Sequence, residues 1–117
     1  MKKLFTLLGL FLVFVFFIAA RASQWSKVRK AYLKAYPTCA VCDSKKKLQV
    51  HHIIPFAEDK SLELEPSNLI TLCSRCHLLF GHFGSYKKYN PNVREDCKQY
   101  RENKANNAKV IDGDTDT

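Results

Sequence analysis

Apolar positions change period several times along the chain, and each change marks an element. From Leu4 to Ala20 the sequence is almost unbroken apolar, interrupted by Thr6 and Gly9. Trp25, Val28, Tyr32 and Ala35 then recur at helical offsets and predict a helix over Ser23 to Ala35. Lys27, Lys30 and Lys34 form a separate stripe on it, either a solvated face or a phosphate-facing one. Pro37 closes this helix and pushes Tyr36 towards extended backbone. Leu48 to Ile54 reads as a strand with Leu48, Val50 and His52 on one face, ended by Pro55. A polar, acidic-leaning loop from Phe56 to Pro66 leads to a second short strand, or a turn into one, over Asn68 to Leu72. A helix follows from Cys73 through Phe80, with Gly81 or Gly84 as its stop. Asn90-Pro91 suits another helix start, and Val93, Cys97 and Tyr100 give that helix an apolar stripe. Residues 109–117 are expected to be a disordered tail.

The N-terminal run changes the picture first. Met1-Lys2-Lys3 is a basic start, and Ala20-Arg21-Ala22 has the small-residue form of a cleavage site, so residues 1–22 read as a secretory signal peptide. An uncleaved membrane anchor is the rival, because the 17-residue run is at the short edge of a bilayer span. A start codon placed too early is the third option. Export to the periplasm or medium, or tethering by residues 1–22, follows from the first two, with Lys2 and Lys3 left inside. The domain itself is expected over residues 23–108. Without Lys2, Lys3 and Arg21, the 19 basic residues fall to 16 against 11 acids, a net charge of +5. A small basic domain suits a polyanion, either nucleic acid or anionic lipid.

So short a chain makes a marginal core and often needs a staple. Cys39-Ala40-Val41-Cys42 and Cys73-Ser74-Arg75-Cys76 are two C-x-x-C pairs separated by 30 residues, with Cys97 left over. A two-residue spacer lets both thiolates of a pair reach one ion, and two pairs close a tetrahedral shell, so structural zinc is the favoured reading. Disulfides are the alternative, given the oxidising compartment that export implies. A site of three cysteines plus His51 or His77 is a lesser one. Cys97, on the apolar stripe of the last helix, is expected to be a buried free thiol, with intermolecular pairing as the other option.

Between and beside these pairs lie Leu48-Gln49-Val50-His51-His52-Ile53-Ile54-Pro55, Asn68-Leu69-Ile70-Thr71-Leu72 and Cys73 to His77. An H-H-I-x-P strand, an N-L-x-x-L-C return and a C-x-x-C-H helix start resemble the HNH nuclease family over about Trp25 to Asn90. The resemblance implies an α+β fold: a small zinc-stapled, treble-clef-like ββα-metal domain with flanking helices, in which two antiparallel strands and a helix surround a divalent ion. It also implies roles. His51 takes the place of a metal ligand, His52 that of the general base, Asn68 that of the asparagine orienting the base's loop, and His77 that of the second ligand. Some family members carry a further ligand one helical turn on, where this chain has Gly81. The nearest histidine, His82, lies five residues from His77, about 500° of α-helical rotation and about 140° off the same face. It reaches the ion only if the helix breaks at Gly81; ligand, phosphate contact and structural residue all stay open for it.

The chemistry requires such residues independently of any family. A divalent cation stabilises charge developing on phosphate and leaving oxygen, and a neutral imidazole takes a proton from water near neutral pH. Strand neighbours 51 and 52 point to opposite faces, which suits one histidine on the metal and one on the water. The ion could be magnesium, manganese, zinc or nickel. Lys45, Lys46, Lys47, Arg75, Lys87 and Lys88 are candidate phosphate contacts, which carry affinity but little sequence information. The expected function is metal-dependent endonucleolytic cleavage of nucleic acid, DNA first. The rivals are a non-catalytic zinc module that binds nucleic acid, and a membrane-bound interaction protein that uses the anchor and basic stripe.

Overall fold

The computed structural model describes residues 24–113. The expected signal or anchor, residues 1–22, lies outside them. Among the described residues no helix is long and apolar enough to cross a membrane. Helix α1 covers residues 24–35, followed by strand β1 (Leu48–His52), 3-10 turns at Lys60–Leu62 and Pro66–Asn68, and strand β2 (Leu69–Cys73). Helix α2 starts as an α-turn at Ser74–Cys76 and continues as a π-helix over His77–Gly81, and helix α3 covers Val93–Gly113.

β1 and β2 pair antiparallel, with Leu48 opposite Cys73, His51 opposite Ile70 and His52 opposite Leu69. β1 stops two residues short of the expected Ile54 because a side chain takes that residue's backbone. Ile54 N–H donates to Asn68 Oδ1 at 2.8 Å, and Asn68 Nδ2 donates to Ile54 O at 3.0 Å. On the far side of β2, Tyr32 of α1 and Arg94 of α3 both donate to Leu69 O, and Ala40 N–H donates to Thr71 O. These bonds blunt the edge that a two-stranded sheet would otherwise expose. They also fix both flanking helices to the sheet.

The stripe on α1 is real but narrower than expected: Tyr32 is buried, Trp25 and Val28 half-buried, and Ala35 exposed, while Lys27, Lys30 and Lys34 face solvent. On α3, Val93 and Cys97 are buried and Tyr100 lies against Phe80 with ring centroids 5.4 Å apart. α3 begins three residues after Asn90, whose Oδ1 accepts from Asn92 N–H in the lead-in turn. It stays helical through Gly113, so the expected boundary at residue 109 falls within the helix.

The core is small and sulfur-rich. Cys39, Cys73, Cys76 and Cys97 pack with Val41, Ile53, Ile70, Leu72 and Val93, with Ala40, Leu48 and Phe80 at its margin. So few aliphatic side chains give little hydrophobic stabilisation, and the sulfur cluster must contribute the rest.

Candidate metal centres and active site

Two clusters among the described residues are compact enough to hold a metal ion: Cys39, Cys42, Cys73 and Cys76, and, apart from them, His51, His77 and His82. In each, the donor atoms lie within 4.8 Å of one another.

The cysteine cluster is assembled by two tight turns. Cys39 N–H donates to Ser44 O and Asp43 N–H to Cys39 O, with Asp43 in the left-handed region at φ 61° closing the first knuckle. The second knuckle sits where β2 becomes α2, and there Cys76 N–H points at Cys73 Sγ, 3.5 Å away. Ser74 N–H donates to Lys47 O and ties the two knuckles together. Each of the five cysteines is a free thiol, and Cys42 Sγ lies 3.8 Å from Cys73 Sγ. That is far beyond a disulfide bond of about 2.05 Å. It matches the edge of a tetrahedron with metal–sulfur bonds of about 2.3 Å, which is about 3.8 Å. Burial opposes ionisation of Cys39, but the N–H groups and thiols around it outweigh this and lower it to about 7. Burial and the neighbouring sulfurs push Cys76 well up. Four thiols this close cannot all be thiolates without a cation between them, and a cation is what the geometry accommodates. Cys97 stands apart, with burial raising its thiol to about 11.

The histidine cluster is built across the sheet–helix contact. His51 points from β1 towards α2 and is buried, with Nδ1 2.9 Å from His77 Nε2. Gly81 makes this approach possible: a Cβ there would sit 3.1 Å from the His51 ring. His82 Nε2 lies 3.1 Å from His77 Nε2, so the third imidazole does join the cluster. An α-helix would have turned it away, but in a π-turn the repeat is i to i+5, and residues 77 and 82 share a face. The π-turn is held by its cap. Gly84 N–H donates to Leu78 O, Asn90 Nδ2 to Phe80 O, Asn90 N–H to Gly81 O and Ser85 N–H to His82 O. These bonds satisfy carbonyls that a helix end leaves open.

The protons of the cluster are spoken for. His77 Nδ1–H donates to Gln49 Oε1 at 2.5 Å, and His82 Nδ1–H donates to Lys88 O at 2.6 Å. With neutral rings both Nε2 atoms therefore present lone pairs, 3.1 Å apart, and a cation between them would relieve their repulsion. Burial first, and then the charges that His77, His82 and His52 would carry, hold the His51 imidazole at about 3. Burial and His82 lower His77 as well. Neutral imidazoles oriented by carbonyl partners are the form in which histidine binds metal. His51 Nε2, the ring nitrogen on the other side from the one that meets His77, is fully buried with no hydrogen-bond partner among the described residues. The donor set fits an ion.

His52 points the other way from the same strand. Its ring lies against Trp25 of α1 with centroids 4.3 Å apart, and its Nε2 is 2.9 Å from Glu63 O. Asn68 is buried beneath it and also donates from Nδ2 to Leu62 O at 3.1 Å. One amide thus pins Ile54 after β1 and Leu62 beside the carbonyl that holds the His52 ring. Lys45, Lys46, Lys47, Arg75, Lys87 and Lys88 are all exposed, flanking the first knuckle, the start of α2 and the loop after it. Gln49, Gly81, Trp25, Tyr86 and the Glu63 and Lys88 carbonyls join the site beyond the residues expected from sequence. The model of the HNH endonuclease family matches residues 39–82, the segment that contains both clusters. Over that segment the chain is similar to the HNH endonuclease family. Comparison with curated proteins and with solved structures returned no match. The segment therefore pairs a similarity to that family with a two-strand, one-helix frame whose clusters could hold metal ions, a small α+β unit of nuclease or nucleic-acid-binding type.

Proposed function

We propose that this chain is a metal-dependent endonuclease that hydrolyses phosphodiester bonds in nucleic acid, with zinc in the cysteine cluster. The observation that carries the reading is the pairing of three converging imidazoles with a fourth histidine held separately on the opposite strand face. His51, His77 and His82 hold the catalytic ion, and the resemblance-based pair is extended by His82. An ion bound there supplies positive charge for the developing phosphate and leaving-oxygen charge.

The chain's own residues do the rest. A carbonyl only accepts, so neutral His52 keeps its proton on Nε2 towards Glu63 O and offers the Nδ1 lone pair to a water. Trp25 fixes the plane of that ring, and Asn68 fixes the loop that carries its partner. The exposed lysines and Arg75 contact phosphates on either side. Because phosphate contacts carry little sequence information, cleavage has low sequence specificity, and one discrete cut site on several unrelated DNAs would contradict this. Residues 1–22 export or tether the enzyme, which spares the host genome.

The test is incubation of the zinc-refolded protein with supercoiled plasmid under magnesium, manganese, nickel or zinc, and with chelator, beside His52→Ala. Metal-dependent nicking that the variant loses is the expected result. Binding without cleavage under every metal, from folded protein, would replace this reading with a non-catalytic zinc module.

A further inference from the structure

Tyr86 is an aromatic residue out of place for a packing role. Its side chain is 64% exposed, yet its ring lies against two of the three clustered imidazoles, with centroids 4.9 Å from His82 and 5.9 Å from His77. The loop that carries it is fastened at both ends. Ser85 N–H donates to His82 O, Lys88 N–H to Ser85 O, His82 Nδ1 to Lys88 O and Asn90 N–H to Gly81 O. Asn90 itself is buried, donating to Phe80 O and Asp96 Oδ2. The Tyr86 ring is therefore held at the rim of the histidine cluster with much of its surface open to solvent. Exposed Lys87 and Lys88 follow it at once. An aromatic face beside cations, a ring's width from a phosphate-directed metal cluster, has the chemistry to hold a nucleotide by its base and its backbone together.

We propose that Tyr86 is a stacking platform for the nucleobase beside the phosphate seated at the histidine cluster, so that the chain selects unpaired, single-stranded nucleic acid. A base inside a duplex is already stacked on its neighbours and cannot reach the ring, whereas an unpaired base can. This rests on the nucleic-acid reading above and names its substrate class. Tyr86 binds rather than reacts, so its removal acts on affinity and KM, and more on single strands than on duplex.

The test uses the full chain carrying His52→Ala, so that substrate persists. Fluorescence anisotropy measures binding of one labelled single-stranded oligonucleotide and its matched duplex. Base–aromatic stacking predicts a single-strand affinity lowered roughly 5- to 150-fold by Tyr86→Ala. Duplex affinity should change by less than about twofold, and Tyr86→Phe should behave as tyrosine. With His52 restored, the same selectivity should show in KM while kcat holds. Equal losses on both substrates, no loss on either, or a Phe variant as weak as the Ala variant would overturn stacking. Cobalt(II) absorption by the histidine cluster is read in each variant. If Tyr86→Ala abolishes that band, Tyr86 is a packing residue of the cluster and the proposal fails. If the chain with Tyr86 intact binds neither form, the nucleic-acid reading itself falls, an outcome separate from the others.

Discussion

The cysteine and histidine clusters occupy one short segment and are built on opposite principles. Three of the four cysteines are buried in the hydrophobic core, and their spacing is set locally by two knuckles. Their donors close around a point, leaving no position for a reactant. Of the histidines, only His51 is buried; His77 and His82 are half-exposed, and the three come from β1 and both ends of the π-turn. Their outward nitrogens are committed to Gln49 and Lys88, and Tyr86 marks the open side. A closed sulfur shell suits stability, whereas a nitrogen-only set with an open face suits chemistry. On the proposed reading the two tasks are separate, so a change in one cluster should leave the other measurable.

The largest expected effect breaks that separation from the sulfur side. Cys39→Ser should abolish folding, because binding of structural zinc supplies an apparent ~10–16 kcal/mol to a small metallodomain, more than this core can replace. Circular dichroism of the variant, and of the wild type with excess chelator, would check it; a cooperative native melt after sulfur-site depletion would contradict the division. Next comes His52→Ala. Cleavage should fall by about 100- to 10,000-fold, the usual contribution of a general base, with both metal contents unchanged. A parallel loss of bound metal would show that His52 belongs to the ion rather than to the water.

Gln49→Ala acts on the orientation of His77 alone. Removing such a partner typically weakens metal affinity about 10- to 100-fold, which titration of the histidine site with cobalt(II) would detect while the thermal midpoint stays put. The smallest effect is expected from Arg101→Ala. Its bond to Asp43 is 2.7 Å long but exposed on both sides, and solvent and salt screen such pairs so that they contribute little. Urea denaturation should register at most a slight change in midpoint; a large one would mean that α3 braces the first knuckle.

Much of this was legible in the residues and some was not, for identifiable reasons. The two C-x-x-C pairs, His51, His52, Asn68 and His77 are set by residue type and short spacing, so they could be read directly. Gln49 was also readable, since it stands two residues before His51 and shares its strand face. The role of His82 stayed open because α-helical arithmetic turns it off the face of His77, and that arithmetic fails where the helix changes type. The Glu63 and Lys88 carbonyls carry no residue-type signal at all, because any amino acid supplies a main-chain oxygen. Trp25 packs on His52 only through the docking of α1, a tertiary fact. The strand end at His52 depended on what the Asn68 side chain would do with the backbone of Ile54.

The π-turn also bears on how such a site can drift in length. A ligand pair on a helix is usually thought of as a ruler with one allowed mark. Here the spare residue between His77 and His82 is taken up as a wider coil, and Gly81 clears the space that the His51 ring needs. Deletion of Leu79, which is 49% exposed, would set the two imidazoles four residues apart, the interval at which side chains share a face of an ordinary α-helix. The spacing of the ligands is then a tolerance and not a constant, and a pattern search that insists on one interval would pass over chains like this one.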